Sequence, residues 1–151
     1  MGNLRKPEEI IINGVSLREL IESHQTWLYN EKEGEQLVLE NADLAYVNLE
    51  NVDLRYAILE NANLENANLE NANLENTNLM YTNSKYTNLE NANLENANLE
   101  GANLTYADLT YADLTYANLR YVNLKNVDLA YADLKYANLV CANLEGANLK
   151  N

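Results

Sequence analysis

Phenylalanine is absent from this 151-residue chain, and cysteine, histidine, proline and tryptophan occur once each. A single cysteine excludes an intrachain disulfide framework. One histidine has no second histidine to share a metal with and no nucleophile beside it, which argues against a zinc site or a catalytic pair. Basic residues are scarce: ten Lys plus Arg stand against 23 Asp plus Glu, for a net charge of -13. Nucleic acid and anionic membrane surfaces repel such a chain, so no direct nucleic-acid or membrane binding is expected. No apolar run approaches the ~20 residues of a membrane span, and the N-terminus lacks the basic-then-apolar layout of a signal peptide. A cytoplasmic location is expected. No phosphate-cradling glycine loop, zincin helix or nucleophile elbow is present either. The expectation is a protein that is not an enzyme, with no catalytic residue, cofactor or metal.

What is present is a period of five. Residues 37–151 form 23 consecutive pentapeptides without insertion or deletion. The central place, Leu39, Leu44 and onward to Leu149, is Leu in 22 of them, and Ser84 is the exception. Two residues earlier stands a small residue: fifteen Ala, four Val, three Thr, and Leu37 at the start. Between them is Asn (fifteen) or Asp (six), broken by Val38 and Ile58. The last place holds ten Asn, ten Tyr, two Gly and Cys141.

Neither regular element turns this pattern into a buried face. On an α-helix five residues advance about 500°, so successive leucines drift round the axis. On one continuous strand, a spacing of five sends them to alternate faces. A three-residue extended piece followed by a two-residue corner succeeds. Ala42 and Leu44 then point inward with Asp43 outward, and the corner Ala45-Tyr46 resets the direction for Val47 and Leu49. Asn and Gly tolerate such corners. The expected body is a solenoid lined by one column of Leu and one of small residues.

The run Ala62-Asn63-Leu64-Glu65-Asn66, varied as Ala107-Asp108-Leu109-Thr110-Tyr111, resembles the pentapeptide-repeat family over about three quarters of the chain. That resemblance implies an all-β fold, a right-handed quadrilateral parallel β-helix with four pentapeptides per coil. Residues 20 apart then stack at about 4.8 Å, and the 115 repeat residues make about 5.75 coils, roughly 28 Å of rod. Stacked columns follow: Asn51, Asn71 and Asn91; Asn76 and Asn96; Tyr86 over Tyr106; Tyr111 over Tyr131; Tyr116 over Tyr136. Asn ladders and stacked aromatics stabilise such arrays. Ion pairs between coils are available at Glu65/Lys85, Arg55/Glu75 and Glu100/Arg120, each worth little at an exposed site. One coil departs from the rest: Thr77, Thr82 and Thr87 replace Ala, and Ser84 replaces Leu, with hydroxyls that can bond one another.

Residues 1–36 differ in composition and are expected to cap the solenoid, whose end otherwise exposes core and strand edge. Ile10-Ile11-Ile12 reads as an extended piece ending at the turn Asn13-Gly14. Ser16 and Glu19 have capping-box spacing. A helix should follow over about 17–29, with Leu17, Leu20, Ile21, His24, Trp27 and Leu28 on one face, and then a polar connector. This layout is similar to the N-terminal leader of some bacterial pentapeptide-repeat proteins. His24 and Trp27 are expected at the junction. At the other end Leu144 and Leu149 face outward on the last coil, and a homodimer joined through that coil is expected, a mode the resemblance also implies.

The outer surface is then the working part. Residues 37–100 carry eleven acids against two bases, and residues 101–151 five against four. Candidate contacts are the ladder Glu50, Glu70 and Glu90 and the tyrosines Tyr106, Tyr111, Tyr116, Tyr121, Tyr131 and Tyr136, presented to a protein partner whose identity the sequence does not give. Cys141 falls on an outward corner as an exposed thiol. The stacked pairs Asp108/Asp128 and Asp113/Asp133 are read as bonding backbone or solvent. An alternative is DNA mimicry toward a type II topoisomerase. The acidic half carries about one net charge per ~1.7 Å, near the axial density of duplex DNA, and the resemblance includes members with that activity.

Overall fold

The computed structural model describes residues 4–150. The final residue of the last pentapeptide, Asn151, lies outside that range.

A pentapeptide with Asn or Asp in its middle place and a coil on either side uses all five of its backbone N–H groups, which is why five residues suffice as a unit. In the repeat around Leu64, Asn63 N–H donates to the Ala42 carbonyl of the coil before (2.9 Å), while Leu64 and Asn66 donate to Asn83 and Lys85 of the coil after (2.7 and 2.9 Å). Ala67 N–H closes the corner onto the Leu64 carbonyl (2.9 Å). Glu65 N–H is taken by the side-chain Oδ1 of Asn63 (3.2 Å). The middle place is therefore Asn or Asp because its oxygen satisfies a donor that no carbonyl reaches. Parallel bridges join residues 20 apart throughout, as in Asp43–Asn63–Asn83 and Asn48–Asn68–Asn88, so four pentapeptides make one coil.

The corners carry backbone strain. Every non-glycine corner residue from Asn41 to Cys141 has a positive φ, between 55° and 63°. A positive φ at the third residue of a four-residue turn is the sign of a type II turn, which favours Gly or Asn. Tyrosine nevertheless occupies ten of these corners. Inside, Leu39 to Leu129 are at most 3% exposed, with the small residues between them forming one continuous core. Thr77, Thr82 and Thr87 are buried in that core, and their hydroxyls donate to the carbonyls of Leu54 (2.9 Å), Leu79 (3.0 Å) and Leu64 (2.8 Å). Ser84 donates to Thr82 Oγ1 (3.1 Å). The polar coil is thus internally bonded at every hydroxyl.

Two expectations about the columns need correction. The side-chain ladder does not run through the corner asparagines. It runs through the middle place, where Asn68 Nδ2 donates to Asn48 Oδ1 (3.1 Å) and Asn88 Nδ2 to Asn68 Oδ1 (3.0 Å). Three corner amides turn instead to the preceding glutamate, Asn51 to Glu50 (3.1 Å), Asn76 to Glu75 (2.9 Å) and Asn96 to Glu95 (3.3 Å). The middle residue lies on the extended segment in register with its neighbours, whereas the corner side chain leaves at a bend. The ion pairs at Glu65/Lys85, Arg55/Glu75 and Glu100/Arg120 do not form either. Glu65 and Glu100 accept from the ladder amides of Asn83 (3.0 Å) and Asn118 (3.1 Å), and Arg55 pairs with Asp53 of its own repeat (2.8 Å). An amide fixed by the ladder is a nearer partner than a mobile cation. Among described residues, Lys125–Glu145 is the ion pair spanning one coil (3.0 Å).

Before the repeats, a 3-10 turn covers Pro7–Glu9, and a hairpin pairs β1 (Ile11–Ile12) with β2 (Val15–Ser16). Its turn residues Asn13 and Gly14 both have positive φ (52° and 86°), as a two-residue hairpin loop requires. Helix α1 spans Leu17–Tyr29, begun by reciprocal bonds between Ser16 and Glu19. Leu17, Ile21 and His24 are its buried residues, with Leu17 and Ile21 joined to the solenoid core. Leu20, Trp27 and Leu28 are half-buried. Arg5 extends the parallel ladder, pairing with Val47 through bonds to Tyr46 (2.7 Å) and Asn48 (2.9 Å).

Candidate interaction surface

Four ladders define four faces. The first carries Asp43, Asn63, Asn83, Asn103, Asn123 and Asn143 along its middle; the second Asn48, Asn68, Asn88, Asp108, Asp128 and Asn148. The third follows Asp53, Asn73, Asn93, Asp113 and Asp133, and the fourth Val38, Ile58, Asn78, Asn98, Asn118 and Asn138. Charge is shared unequally among them. The first face sets Asp43, Glu65 and Glu145 against Lys85 and Lys125, and the fourth sets Glu40, Glu60 and Glu100 against Arg120. The third sets five acids against Arg55 and Lys135. Among the repeat residues of the second, Glu50, Glu70, Glu90, Asp108 and Asp128 follow one another with only Lys150, at the far end, of opposite sign, while Arg5, beside Val47 at the near end, turns its guanidinium to Asp43 of the first face (3.7 Å). None of those five acids makes an ion pair among the described residues.

The glutamate ladder Glu50, Glu70, Glu90 therefore continues into the Asp108/Asp128 pair as one acidic stripe. Counting charge along the chain conceals this; counting it at a period of 20 would have found it. Asp108 and Asp128 each accept a backbone N–H two residues on, from Thr110 (2.9 Å) and Ala130 (3.0 Å). Asp113 and Asp133 do the same for Thr115 and Lys135 (2.9 Å each). Among described residues no cluster of three metal-ligating side chains occurs.

The corner tyrosines are 43–64% exposed. Three pairs stack: Tyr86/Tyr106 (ring centroids 5.3 Å apart), Tyr111/Tyr131 (4.9 Å) and Tyr116/Tyr136 (4.9 Å). The last two pairs flank the third face, with Asp113 and Asp133 between them. Arg120 lies over the Tyr121 ring at 5.2 Å, and Lys135 over Tyr136 at 5.0 Å. The chain thus already places its own cations on its corner rings.

His24 and Trp27 sit together beside the first coil. His24 is fully buried, its Nδ1 accepts the Leu37 N–H (3.1 Å), and its ring stacks on Trp27 (5.6 Å). Burial holds the imidazole below its ordinary pKa, against a weaker opposing pull from the Arg55 backbone and the Asp53 charge. Burial raises Asp53, but the hydrogen bonds from the Arg55 side chain and backbone outweigh it and leave the carboxyl below its usual range. Trp27 meets Tyr56 edge-on (6.5 Å). At the far end Leu134, Leu139 and Leu144 are half-buried and Leu149 is 53% exposed. Cys141 is an exposed free thiol. Among the described residues no helix is long and apolar enough to cross a membrane.

A family model of pentapeptide repeats matches in eight copies, over residues 36–71, 57–83, 85–120 and 112–151. Among solved structures, the pentapeptide repeat protein Rfr23 from the cyanobacterium Cyanothece 51142 is 28% identical, with TM-score 0.59 over 85% of this chain and 99% of its own. HetL, a pentapeptide repeat protein involved in heterocyst differentiation regulation in Nostoc sp. strain PCC 7120, is 30% identical, covering 74% and 61% with TM-score 0.35. QnrB1, a plasmid-mediated fluoroquinolone resistance protein, is 23% identical in its trypsin-treated R167E form, covering 81% and 69% with TM-score 0.43. No curated protein matches the chain at a comparable level of significance.

Proposed function

Because the chain belongs to the pentapeptide-repeat family, whose members imply a right-handed β-helix, we propose that it is a non-catalytic interaction module. It presents acidic and tyrosine-rich faces of a rigid solenoid to a protein partner. The observation that carries this reading is the stacking of Tyr111 on Tyr131 and Tyr116 on Tyr136 at exposed corners. Tyrosine supplies large amphipathic contact area at low entropic cost. Residues 1–36 serve as the cap of the first coil, held by Arg5, Ile10, Leu17, Ile21 and His24. Residues 37–151 are the solenoid. The protein works in the cytoplasm without a cofactor. Capture from the source cell with the wild type and with a variant bearing Asn at Tyr111, Tyr116, Tyr131 and Tyr136 tests it. A partner retained by the first and lost by the second supports the reading; equal retention overturns it.

The half-buried leucines of coil 132–150, with Leu144 and Leu149 foremost, support a homodimer formed through that coil. Light scattering should give twice the chain mass, reduced to the monomer by Leu144→Lys with Leu149→Lys. The acidic stripe on the second face favours a second reading, DNA mimicry toward a type II topoisomerase. Absence of any effect on supercoiling or quinolone sensitivity at micromolar protein removes it.

A further inference from the structure

The corner between the first and second faces reads Tyr46, Asn66, Tyr86, Tyr106. Tyr86 and Tyr106 stack in adjacent coils, nearly parallel, at 5.3 Å. Tyr46 and Tyr86 are two coils apart, about 10 Å, and the shorter Asn66 leaves a slot between their rings. A cavity of about 400 Å³ opens there, lined by Leu4, both tyrosines, Asn66, Asn68 and Glu70. The other tyrosine column interrupted by a single residue, Tyr81–Gly101–Tyr121, is closed, because the Tyr81 ring lies over Gly101, 2.5 Å from where a Cβ would stand. Glu70 stands beside the open slot on the acidic stripe. One of its oxygens accepts from Asn88 Nδ2 (3.3 Å), and no cation lies within 4 Å among the described residues.

We propose that this slot receives an arginine side chain from a basic segment of a protein partner lying along the second face. The inference rests on the interaction-module reading and names the partner's chemistry. A planar group midway between the rings would be about 5 Å from each, within the ~6 Å reach of a cation–π contact. That is also the distance at which Arg120 and Lys135 lie over their own corner tyrosines (5.2 and 5.0 Å). Glu70 supplies a carboxylate for the guanidinium fork, and the acids above and below it attract the flanking positive charge. Lysine, a compact charge without a flat face, fills such a slot poorly.

The test uses the full chain and two fluorescein-labelled probes of equal charge, an alternating Arg-Gly octapeptide and its Lys-Gly counterpart, followed by anisotropy at 150 mM salt. The arginine peptide should bind about two- to fivefold tighter than the lysine peptide. Asn66→Tyr should abolish that preference while preserving or raising the melting temperature. Asn66 already has φ 58°, the conformation of the neighbouring corner tyrosines. Glu70→Gln should weaken the arginine peptide more than the lysine peptide. Equal binding of the two peptides to the wild type, no binding of the arginine peptide, or an intact preference in Asn66→Tyr overturns the inference. These failures are distinct from failure of the module itself, which is read from partner capture by the tyrosines of the third face. Equal loss of both peptides on Glu50→Gln, Glu70→Gln and Glu90→Gln together, with Asn66→Tyr unaffected, would assign the binding to charge alone and overturn the slot.

Discussion

Replacing Asp128 by Asn should make the protein more stable. The substitution keeps the shape of the side chain and its Oδ1, which accepts from Ala130 N–H (3.0 Å) and Asn148 Nδ2 (2.9 Å). It adds an Nδ2 facing Asp108 of the coil before, bridged to it in the ladder, in the arrangement by which Asn63 Nδ2 already donates to Asp43 Oδ1 (3.0 Å). A hydrogen bond to a charged group contributes ~1.5–3 kcal/mol when protected, and like charges directly opposite cost up to ~1 kcal/mol. Discounted for the partial exposure of both residues, the gain is about 1–2 kcal/mol. For a chain of this size that raises Tm by roughly 2–8 °C. Thermal and urea unfolding at neutral pH would measure it, and 1 M salt should remove the charge part while leaving the bond. The mirror substitution Asn118→Asp should do the reverse. It deletes the donor to Asn98 Oδ1 (2.9 Å) and Glu100 Oε2 (3.1 Å) while keeping the acceptor for Arg120 N–H. An unchanged or lowered stability in Asp128→Asn would refute the ladder argument.

Three further outcomes follow from local packing. The unfolded chain binds a proton that buried His24 resists, so wild-type stability should fall as pH drops below about 6.5. His24→Gln should lose that slope between pH 8 and 5; identical Tm profiles would contradict it. Gly34→Ala should cost at least ~2 kcal/mol, because φ is 73° and a Cβ would stand 2.2 Å from the Ser23 carbonyl and 2.7 Å from Trp27 N. A Tm within a degree of wild type would contradict that packing. Ser84→Leu restores the leucine column at a position 3% exposed. It should be neutral or stabilising by up to ~2 kcal/mol, since Thr82 keeps its own bond to the Leu79 carbonyl (3.0 Å). A large loss of Tm would show that the hydroxyl pair matters more than the column.

The repeat was legible because its three inward or ladder places are each fixed by one backbone need. Leu44 and Ala57 are buried whatever surrounds them, and Asn63 is required by the Glu65 N–H. Helix α1 was legible from the Ser16–Glu19 box, and its range Leu17–Tyr29 agrees with the expected one. Arg5 was not legible: it joins the ladder at Val47 by backbone bonds alone, which no side-chain pattern signals. The candidate surface was half legible. The stacked tyrosines follow from a spacing of 20, and Tyr111 does lie on Tyr131. The glutamate ladder was visible too, yet the sum over halves of the chain hid its continuation into Asp108 and Asp128. The slot at Asn66 depends on a short side chain between two long ones, a shape that no column count shows.

The corner tyrosines carry the last step, because the fold does not ask for them. A left-handed backbone costs an ordinary residue roughly 1 kcal/mol or more that Asn or Gly largely escapes. Selection for stability alone would therefore fill corners with Asn and Gly, as thirteen of the 23 are not tyrosine but only Cys141 among those is neither. Stacking returns about 0.5–1.5 kcal/mol per aromatic pair, which offsets the strain where Tyr86 meets Tyr106, Tyr111 meets Tyr131 and Tyr116 meets Tyr136. Tyr56 has Trp27, Tyr81 packs over Gly101, and Tyr121 has Arg120. Tyr46 has φ 61° and no aromatic or cationic ring contact among the described residues. Tyr46 and Tyr81 are thus the two corner tyrosines left without an aromatic or cationic offset; Tyr81 packs over Gly101, whereas Tyr46 forms a wall of the slot beside Glu70. The arginine contact proposed above would give that ring a role that the fold does not supply.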